Sequence, residues 1–163
     1  MLDPSECFAG PVSAAKQITL VLPRTEYEHR CLIVINDEKP FAICLDELDR
    51  LGRFRAFQCN ENDAWKGLHI PGVRIELDET SLHDADRHYT PLGSMVRSED
   101  KLAMRVNLEG RHYADSASLF FMEGLPQSAP HLSACFTRWQ VVLGESDNKR
   151  VLLRIDAATK PTA

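Results

Sequence analysis

Apolar residues recur at every second position along several stretches of the chain, which is the pattern of β-strands with one buried and one exposed face. Val73, Ile75 and Leu77, for example, alternate with charged side chains. The same alternation or a short apolar run predicts strands in later parts of the chain, over residues 102–108, 112–122, 135–143 and 151–155.

A hairpin is predicted near the start of the patterned region. Residues 18–22 form a short apolar run ended by Pro23, and residues 31–35 are apolar on both faces, as in a strand of a closed or covered sheet. Residues 36–39 supply polar turn chemistry, and residues 41–45 return as the partner strand. We therefore expect the two longer runs to pair with each other.

The hydrophobic period changes from two to three after this hairpin. Leu45, Leu48 and Leu51 repeat at every third residue, acidic residues lie in the first turn, and Gly52 follows the last leucine. This pattern predicts a short helix over residues 46–51 that ends at the glycine.

Together the patterns predict an all-β domain, a barrel or a sandwich, with about eight or nine strands and one or two short helices. The second helical turn is expected to begin at Thr80 or Ser81. Residues 17–158 form this single domain, residues 1–16 form an N-terminal arm without a sustained period, and residues 159–163 form a C-terminal tail.

Charge and composition narrow the classes of partner. The chain carries 24 acidic and 19 basic residues, a net charge of -5, which disfavours a general nucleic-acid binder. It has no apolar run of the roughly 18 to 20 residues that a membrane helix needs, and its first residues lack the pattern of a signal peptide. We therefore expect a cytoplasmic protein with no membrane insertion.

The cysteines are five in number, widely spaced and without a C-x-x-C pair. Their mostly apolar flanks predict reduced thiols that pack as small hydrophobic side chains, several of them in strands: Cys7, Cys31, Cys44, Cys59 and Cys135. The functional alternative for any one of them is a nucleophile, which requires a lowered pKa and a neighbouring base.

The densest polar cluster contains His83, Asp84, Asp86 and His88, whose imidazoles and carboxylates are possible ligands of a divalent metal. On a helix the two histidines, five positions apart, do not share a face. The favoured interpretation is therefore a solvated acidic segment after a helix cap, with no metal site. A small β-barrel metal-dependent enzyme built on this cluster is the alternative.

Common catalytic templates are absent from the sequence, which has no G-x-S-x-G elbow, no glycine-rich phosphate loop and no H-E-x-x-H motif. We expect no catalytic residues and no cofactor. Arg50, Arg53 and Arg55 interleave with Phe54 and Phe57, which would suit a ligand-binding sensor domain if the rings stacked on a base. The favoured interpretation is a strand with its arginines outward and its aromatic rings inward.

Four blocks of the sequence together resemble a known family. Residues 31–51, CLIVINDEKPFAICLDELDRL, are similar to a strand, turn, strand and short acidic helix of that family, and residues 65–78 to its aromatic-Gly block and following strand. Residues 101–121, with Glu109-Gly110-Arg111 at the turn, are similar to its later hairpin, and residues 141–156 to its closing hairpin. The family is the CheW-type domain of chemotaxis coupling proteins, which is also found at the C-terminus of the chemotaxis histidine kinase CheA.

The resemblance implies a pair of small β-barrel lobes around a shared core. It also implies a non-catalytic adaptor that couples a CheA-like histidine kinase to a chemoreceptor-like protein or another scaffold. Pro71 stands where the family has an arginine associated with receptor coupling, and proline offers none of the guanidinium donors. A divergent member that serves another signalling array, such as one controlling type IV pili, fits this difference better than a standard coupling protein does.

In a CheW-like scaffold the turn at Pro71-Gly72 and the strand behind it lie where partner contacts are expected. The predicted contact set is therefore His69, Ile70, Pro71, Gly72 and Val73. The alternative is that Ile70 and Val73 complete the core beneath the turn.

Overall fold

The computed structural model describes residues 17–26, 29–36, 38–46, 53–59, 67–83, 91–98, 101–108, 116–120 and 134–158. In these ranges strands are the main secondary structure, beside two short 3-10 turns, so the predicted all-β class is confirmed. The predicted arm and tail, and all of the predicted helix except its first residue, lie outside the described residues. No helix in the described part is long and apolar enough to cross a membrane.

The strands follow one another as β1 (Thr19–Leu22), β2 (Cys31–Asn36), β3 (Lys39–Cys44), β4 (Arg55–Gln58), β5 (Leu68–Pro71), β6 (Arg74–Leu77), β7 (Leu82–His83), β8 (Met95–Ser98), β9 (Lys101–Leu108), β10 (Ser116–Phe120), β11 (Ala134–Phe136), β12 (Arg138–Leu143) and β13 (Arg150–Asp156). The 3-10 turns are Glu79–Ser81, close to the predicted helical turn, and Ser146–Asn148.

Ten strands form a large sheet and three form a small one. The order is β5-β1-β2-β3-β4-β9-β8-β11-β7 in the large sheet, with β10 also paired to β9, and β13-β12-β6 in the small sheet. All pairs are antiparallel except β4 with β9. Among the described strands neither sheet closes into a barrel, because each sheet ends in strands that have one described neighbour.

The two sheets share one hydrophobic core. Leu20, Leu32 and Ile43 of the large sheet lie in the same buried cluster as Trp139 and Val141 of the small sheet. A second buried cluster lies on the opposite face of the large sheet and comprises Val21, Cys31, Ile33, Ala42, Cys44 and Cys59. Strands β1 to β3 are therefore covered on both faces, as the apolar run over residues 31–35 predicts.

Strands β2 and β3 form the predicted hairpin. Asn36 pairs with Lys39 at the turn, and Cys31 pairs with Cys44 at the open end. Glu38, the second central residue of the turn, has a φ of 62°, as a type I′ hairpin turn requires at this position. The predicted pairing of residues 31–35 with residues 41–45 is confirmed.

Trp139 joins the two sheets. Its indole Nε1–H donates to the Gly93 carbonyl oxygen at 2.8 Å, and the residue is 2% exposed. Gly93 has a φ of +86°, and a Cβ added there would lie 2.3 Å from the Phe54 ring. Glycine at this position therefore lets the phenyl ring approach the turn that also accepts the indole hydrogen bond.

Residues 135–143 are predicted as one strand, but the structure divides them between the sheets. Strand β11 pairs within the large sheet and β12 within the small one, with a bend at Thr137 between them. The Thr137 carbonyl oxygen accepts the Ala157 N–H at 2.7 Å, which ties the bend to the end of β13. Phe136 lies in the shared core with Trp139, whereas Cys135 lies in a separate buried cluster. The alternation therefore shifts by one residue at the bend, so Cys135 and Trp139 do not share the face that their even spacing predicts.

Candidate functional site

The outer face of the small sheet carries two rows of polar side chains. The strand register and the hydrogen bond from the Asp78 N–H to the Arg138 carbonyl oxygen align these rows across the three strands: Glu76, Gln140 and Arg154, then Asp78, Arg138 and Asp156. The row between them, Leu77, Trp139 and Ile155, packs into the shared core. The alternation of the strands thus leaves one apolar and one charged face.

Glu76 is held by two donors. Its Oε2 atom accepts hydrogen bonds from Gln140 Nε2 at 3.0 Å and from Lys149 Nζ at 3.1 Å. The Gln140 amide, followed by the Lys149 ammonium, lowers the pKa of Glu76 below its ordinary value, because both donors stabilise the ionised form. Glu76 therefore presents a fixed negative charge at neutral pH.

Asp78 is held in the same way at the start of the 3-10 turn. Its Oδ1 atom accepts the Thr80 hydroxyl at 2.5 Å and the Thr80 N–H at 3.0 Å, and its Oδ2 atom accepts Arg138 Nε at 2.9 Å. Thr80, followed by Arg138, lowers the pKa of Asp78. The buried Ser81 hydroxyl donates to the Asp78 carbonyl oxygen at 2.7 Å and accepts the Arg138 N–H at 3.0 Å, which fixes the turn against β12.

A cleft of about 420 Å³ lies along these rows. That volume falls within the roughly 300–1,000 Å³ range of small-molecule pockets. Arg138 donates from Nε to Asp78 and from Nη2 to Thr80, whereas Arg154 is exposed and makes no hydrogen bond or ion pair with any residue that the structure describes. Arg154 is therefore the cation of the cleft that is open to an incoming carboxylate or phosphate.

The chemistry of the cleft suits recognition. Two carboxyl groups with lowered pKa values, Glu76 and Asp78, are poor proton donors near neutral pH. Among its lining residues there is no cysteine, serine or histidine. What the cleft offers is fixed charge of both signs beside one forked guanidinium donor, which selects a partner of complementary charge.

Burial divides the predicted contact set. His69, Ile70 and Val73 are 1%, 0% and 4% exposed, whereas Pro71 is half-buried and Gly72 is exposed. Strand β5 pairs with β1 and places Ile70 opposite Leu20 in the shared core. Ile70 and Val73 therefore complete the core, as the alternative interpretation predicts. A partner contact at the turn stays a prediction for Pro71 and Gly72, the two accessible residues.

The possible stacking patch, residues 53–57, comprises most of strand β4 and the two residues before it. Arg53 lies over the Phe54 ring, 4.7 Å from its centroid, and Phe54 is 2% exposed, so that ring is not accessible to a base. Phe57 in β4 is half-buried and packs against the second cluster. The rings are thus inward, as the favoured interpretation predicts, but they pack on opposite sides of the sheet. Arg55 shares its face of β4 with Phe57 and is half-buried, so the predicted outward row of arginines is not found, and Arg50 lies outside the described part.

The possible metal cluster falls mostly outside the described residues. His83 lies in β7, whereas Asp84, Asp86 and His88 are not described. In the described ranges no group of three or more His, Cys, Asp or Glu side chains is placed to hold a metal ion. The metal-enzyme alternative is therefore still an untested prediction.

The sequence reveals parts of the cleft and misses their assembly. Alternation in residues 73–77 predicts one wet face, and polar residues alternate again around Trp139 and Ile155. These signals do not show that β6, β12 and β13 are neighbours, because the strands are far apart in sequence and pair through a register that alternation leaves open.

Comparison with known proteins finds two matches that cover most of the chain. A family model described as "Uncharacterised protein y4lG" matches residues 9–162. A protein of Sinorhizobium fredii named "Uncharacterized protein y4lG" is 41% identical over 154 residues, which covers 93% of this chain and 91% of that relative. No solved structure gives a significant match. The similarity thus spans both sheets and every strand of the cleft.

Proposed function

This chain belongs to the Y4lG family, and from that premise we propose that it is a cytoplasmic, non-catalytic adaptor of CheW-like fold. Its partners would be a chemotaxis-type histidine kinase and a receptor-like protein or second scaffold, in an array such as one that controls type IV pili. The large and small sheets would correspond to the two lobes of that fold. Their shared core and the order of the hairpins along the chain support this assignment.

The single observation that carries the proposal is the outer face of the small sheet. Proteins bind one another through surfaces that combine fixed charge with exposed apolar area. Glu76 and Asp78 are fixed by donors, Arg154 is open, and Val151 on the same edge strand is 37% exposed. A face of this kind can bind a partner without any change in the core beneath it.

The proposal is tested with a purified chemotaxis-type histidine kinase from the same organism and the full chain. Isothermal titration calorimetry measures the affinity of the parent, of Arg154→Glu and of Lys39→Glu. Lys39 is the matched control, because it is an exposed cation on a strand of the other sheet. We expect the parent and the control to bind with similar affinity. Arg154→Glu should bind at least tenfold more weakly, which corresponds to a loss of about 1.4 kcal/mol of binding free energy.

Equal binding of all three proteins would remove the cleft face from the proposal. Absence of binding by the parent to the kinase and to a purified receptor cytoplasmic domain would overturn the adaptor function itself. Both substitutions lie at exposed positions, so we expect each variant to retain the fold. Circular dichroism of each variant checks this.

A further inference from the structure

The cysteines of strands β2 and β3 meet across the hairpin. Cys31 lies directly opposite Cys44 in the register, and both thiols point to the same buried cluster. The Leu45 N–H donates to the Arg30 carbonyl oxygen at 2.9 Å. Arg30 and Leu45, the pair next to Cys31 and Cys44, are therefore a hydrogen-bonded pair. Hydrogen-bonded and non-hydrogen-bonded pairs alternate along an antiparallel ladder, so Cys31 and Cys44 form a non-hydrogen-bonded pair.

That position allows a disulfide without movement of the backbone. Cα atoms of a non-hydrogen-bonded pair are about 4.5 Å apart, which lies at the short end of the roughly 4.4–6.8 Å range of disulfides. Disulfides at the limit of that range are strained and more easily reduced than relaxed structural ones. The pairing therefore suits a bond that forms and breaks.

In the structure both residues are free thiols at the open end of the hairpin. Cys31 Sγ donates to the His29 carbonyl oxygen at 3.7 Å, and Cys44 Sγ to that of Asp46 at 3.5 Å. Arg30, next to Cys31, and Asp46, two residues beyond Cys44, form a half-exposed ion pair in which Arg30 Nε donates to Asp46 Oδ1 at 2.7 Å. Leu45, between Cys44 and Asp46, is buried. The two buried thiols thus lie within one residue (Cys31) and two residues (Cys44) of a partly exposed ion pair.

We propose that Cys31 and Cys44 are a reversible dithiol–disulfide site that is oxidised by hydrogen peroxide. The Cys44 thiolate attacks one peroxide oxygen, the O–O bond breaks, and the departing hydroxide takes a proton, which leaves a sulfenic acid and water. The Cys31 sulfur then attacks Cys44 Sγ, the S–O bond breaks, and the hydroxide leaves as water with the proton of Cys31. In total the two thiols lose two electrons, and one peroxide becomes two waters.

The surroundings of the two thiols assign their order. A hydrogen bond from Cys31 lowers the pKa of Cys44 and outweighs burial, which raises it. The charge of Arg30 also lowers this pKa, whereas the charge of Asp46 opposes it. The same hydrogen bond, together with burial, raises the pKa of Cys31. Cys44 therefore ionises first and is the attacking sulfur, whereas Cys31 resolves the sulfenic acid.

The test treats the folded full chain with excess hydrogen peroxide, blocks the remaining thiols with N-ethylmaleimide and digests the protein with trypsin and a glutamate-specific protease. Cleavage after Glu38 separates the two cysteines, so a disulfide is detected by mass spectrometry as linked peptides. We expect loss of about two free thiols per chain, linkage of Cys31 to Cys44, and full recovery of both thiols with dithiothreitol.

Three alanine variants complete the design. Cys31→Ala and Cys44→Ala should each abolish the linked peptides, and Cys44→Ala should also abolish sulfenic acid labelling by dimedone. Cys135→Ala, which removes a buried thiol of the other end of the large sheet, should leave linkage unchanged. A protein that circular dichroism shows to be folded and that forms no Cys31–Cys44 link, or links either thiol to Cys59, would overturn the proposal.

Discussion

Strands β1 to β3 of the large sheet and strands β6, β12 and β13 of the small sheet use their two faces differently. In β2, consecutive residues such as Leu32 and Ile33 are both 0% exposed and belong to different clusters. In β12, Val141 is 0% exposed whereas its neighbour Gln140 lies in the charged row. The first region has no face left for a partner, and the second keeps one.

This difference explains where binding chemistry can accumulate. A strand covered on both faces accepts only apolar or small side chains, because an unpaired polar group buried there lowers the free energy of unfolding. A strand covered on one face can change every second residue without loss of the core. The proposed partner site therefore lies on the small sheet, and the proposed redox site uses cysteine, the chemically reactive residue that packs as a small hydrophobe.

The largest effect is expected for Ile70→Asp in β5, since Ile70 is 0% exposed and lies opposite Leu20. An unpaired carboxylate at this position should lower the free energy of unfolding by about 4 kcal/mol or more. Urea denaturation measures the loss, and Leu82→Asp, at a residue 59% exposed, is the control and should change it by less than about 1 kcal/mol. A stable Ile70→Asp variant that loses kinase binding would restore this residue to the contact set.

Truncation of both faces sharpens the comparison between the sheets. Leu32→Ala and Ile33→Ala should each lower the free energy of unfolding by roughly 2–5 kcal/mol, although they lie on opposite faces of β2. In the small sheet, Val141→Ala should cost about 2 kcal/mol, and Arg154→Ala on the other face should stay within about 0.5 kcal/mol. A small effect at Ile33 would show that the second cluster contributes little to stability.

The sequence predicts most strands of the fold, because strand alternation is a local property. The hairpin of β2 and β3 is the clearest case, and its turn also fixes which residues face one another, including Cys31 and Cys44. The helix over residues 46–51 falls largely outside the described residues. Strands β5, β7 and β8 are not predicted, because β5 ends in the proline of a predicted turn, β7 has two residues, and β8 (MVRS) does not alternate.

The candidate site is harder to predict than the strands that build it. An apolar turn such as Ile70 and Val73 looks the same in sequence whether it faces a partner or completes a core, and burial alone separates the two. The charged cleft depends on which strands become neighbours and on the bend at Thr137, both of which are long-range properties.

A smaller effect is expected where the two sheets meet. Gly93→Ala combines a φ of +86° with a Cβ 2.3 Å from the buried Phe54 ring, so it should cost about 3 kcal/mol. Gly72→Ala has a φ of +72° but its nearest atom lies at 3.7 Å, so it should cost only the backbone strain, roughly 1–2 kcal/mol. Equal costs in urea denaturation would contradict the close approach of Phe54 to this turn.

The smallest effect is the loss of stability at acidic pH that Glu76 and Asp78, on the exposed face of the small sheet, contribute. Glu76 and Asp78 have pKa values below their ordinary 4.5 and 3.8 in the folded protein, so their contribution is complete above those values. It is lost as pH falls from the ordinary values through the lowered ones, because in that interval the unfolded state takes up protons that the folded state does not yet bind. Carbon-13 NMR titration of the Gln140→Met variant should give a higher pKa for Glu76, since its main donor is gone, and leave Asp78 unchanged. The reciprocal variant, Thr80→Val, should raise the pKa of Asp78 and not that of Glu76, whereas a joint shift of both carboxyl groups in either variant would mean that the two rows of the cleft do not titrate independently.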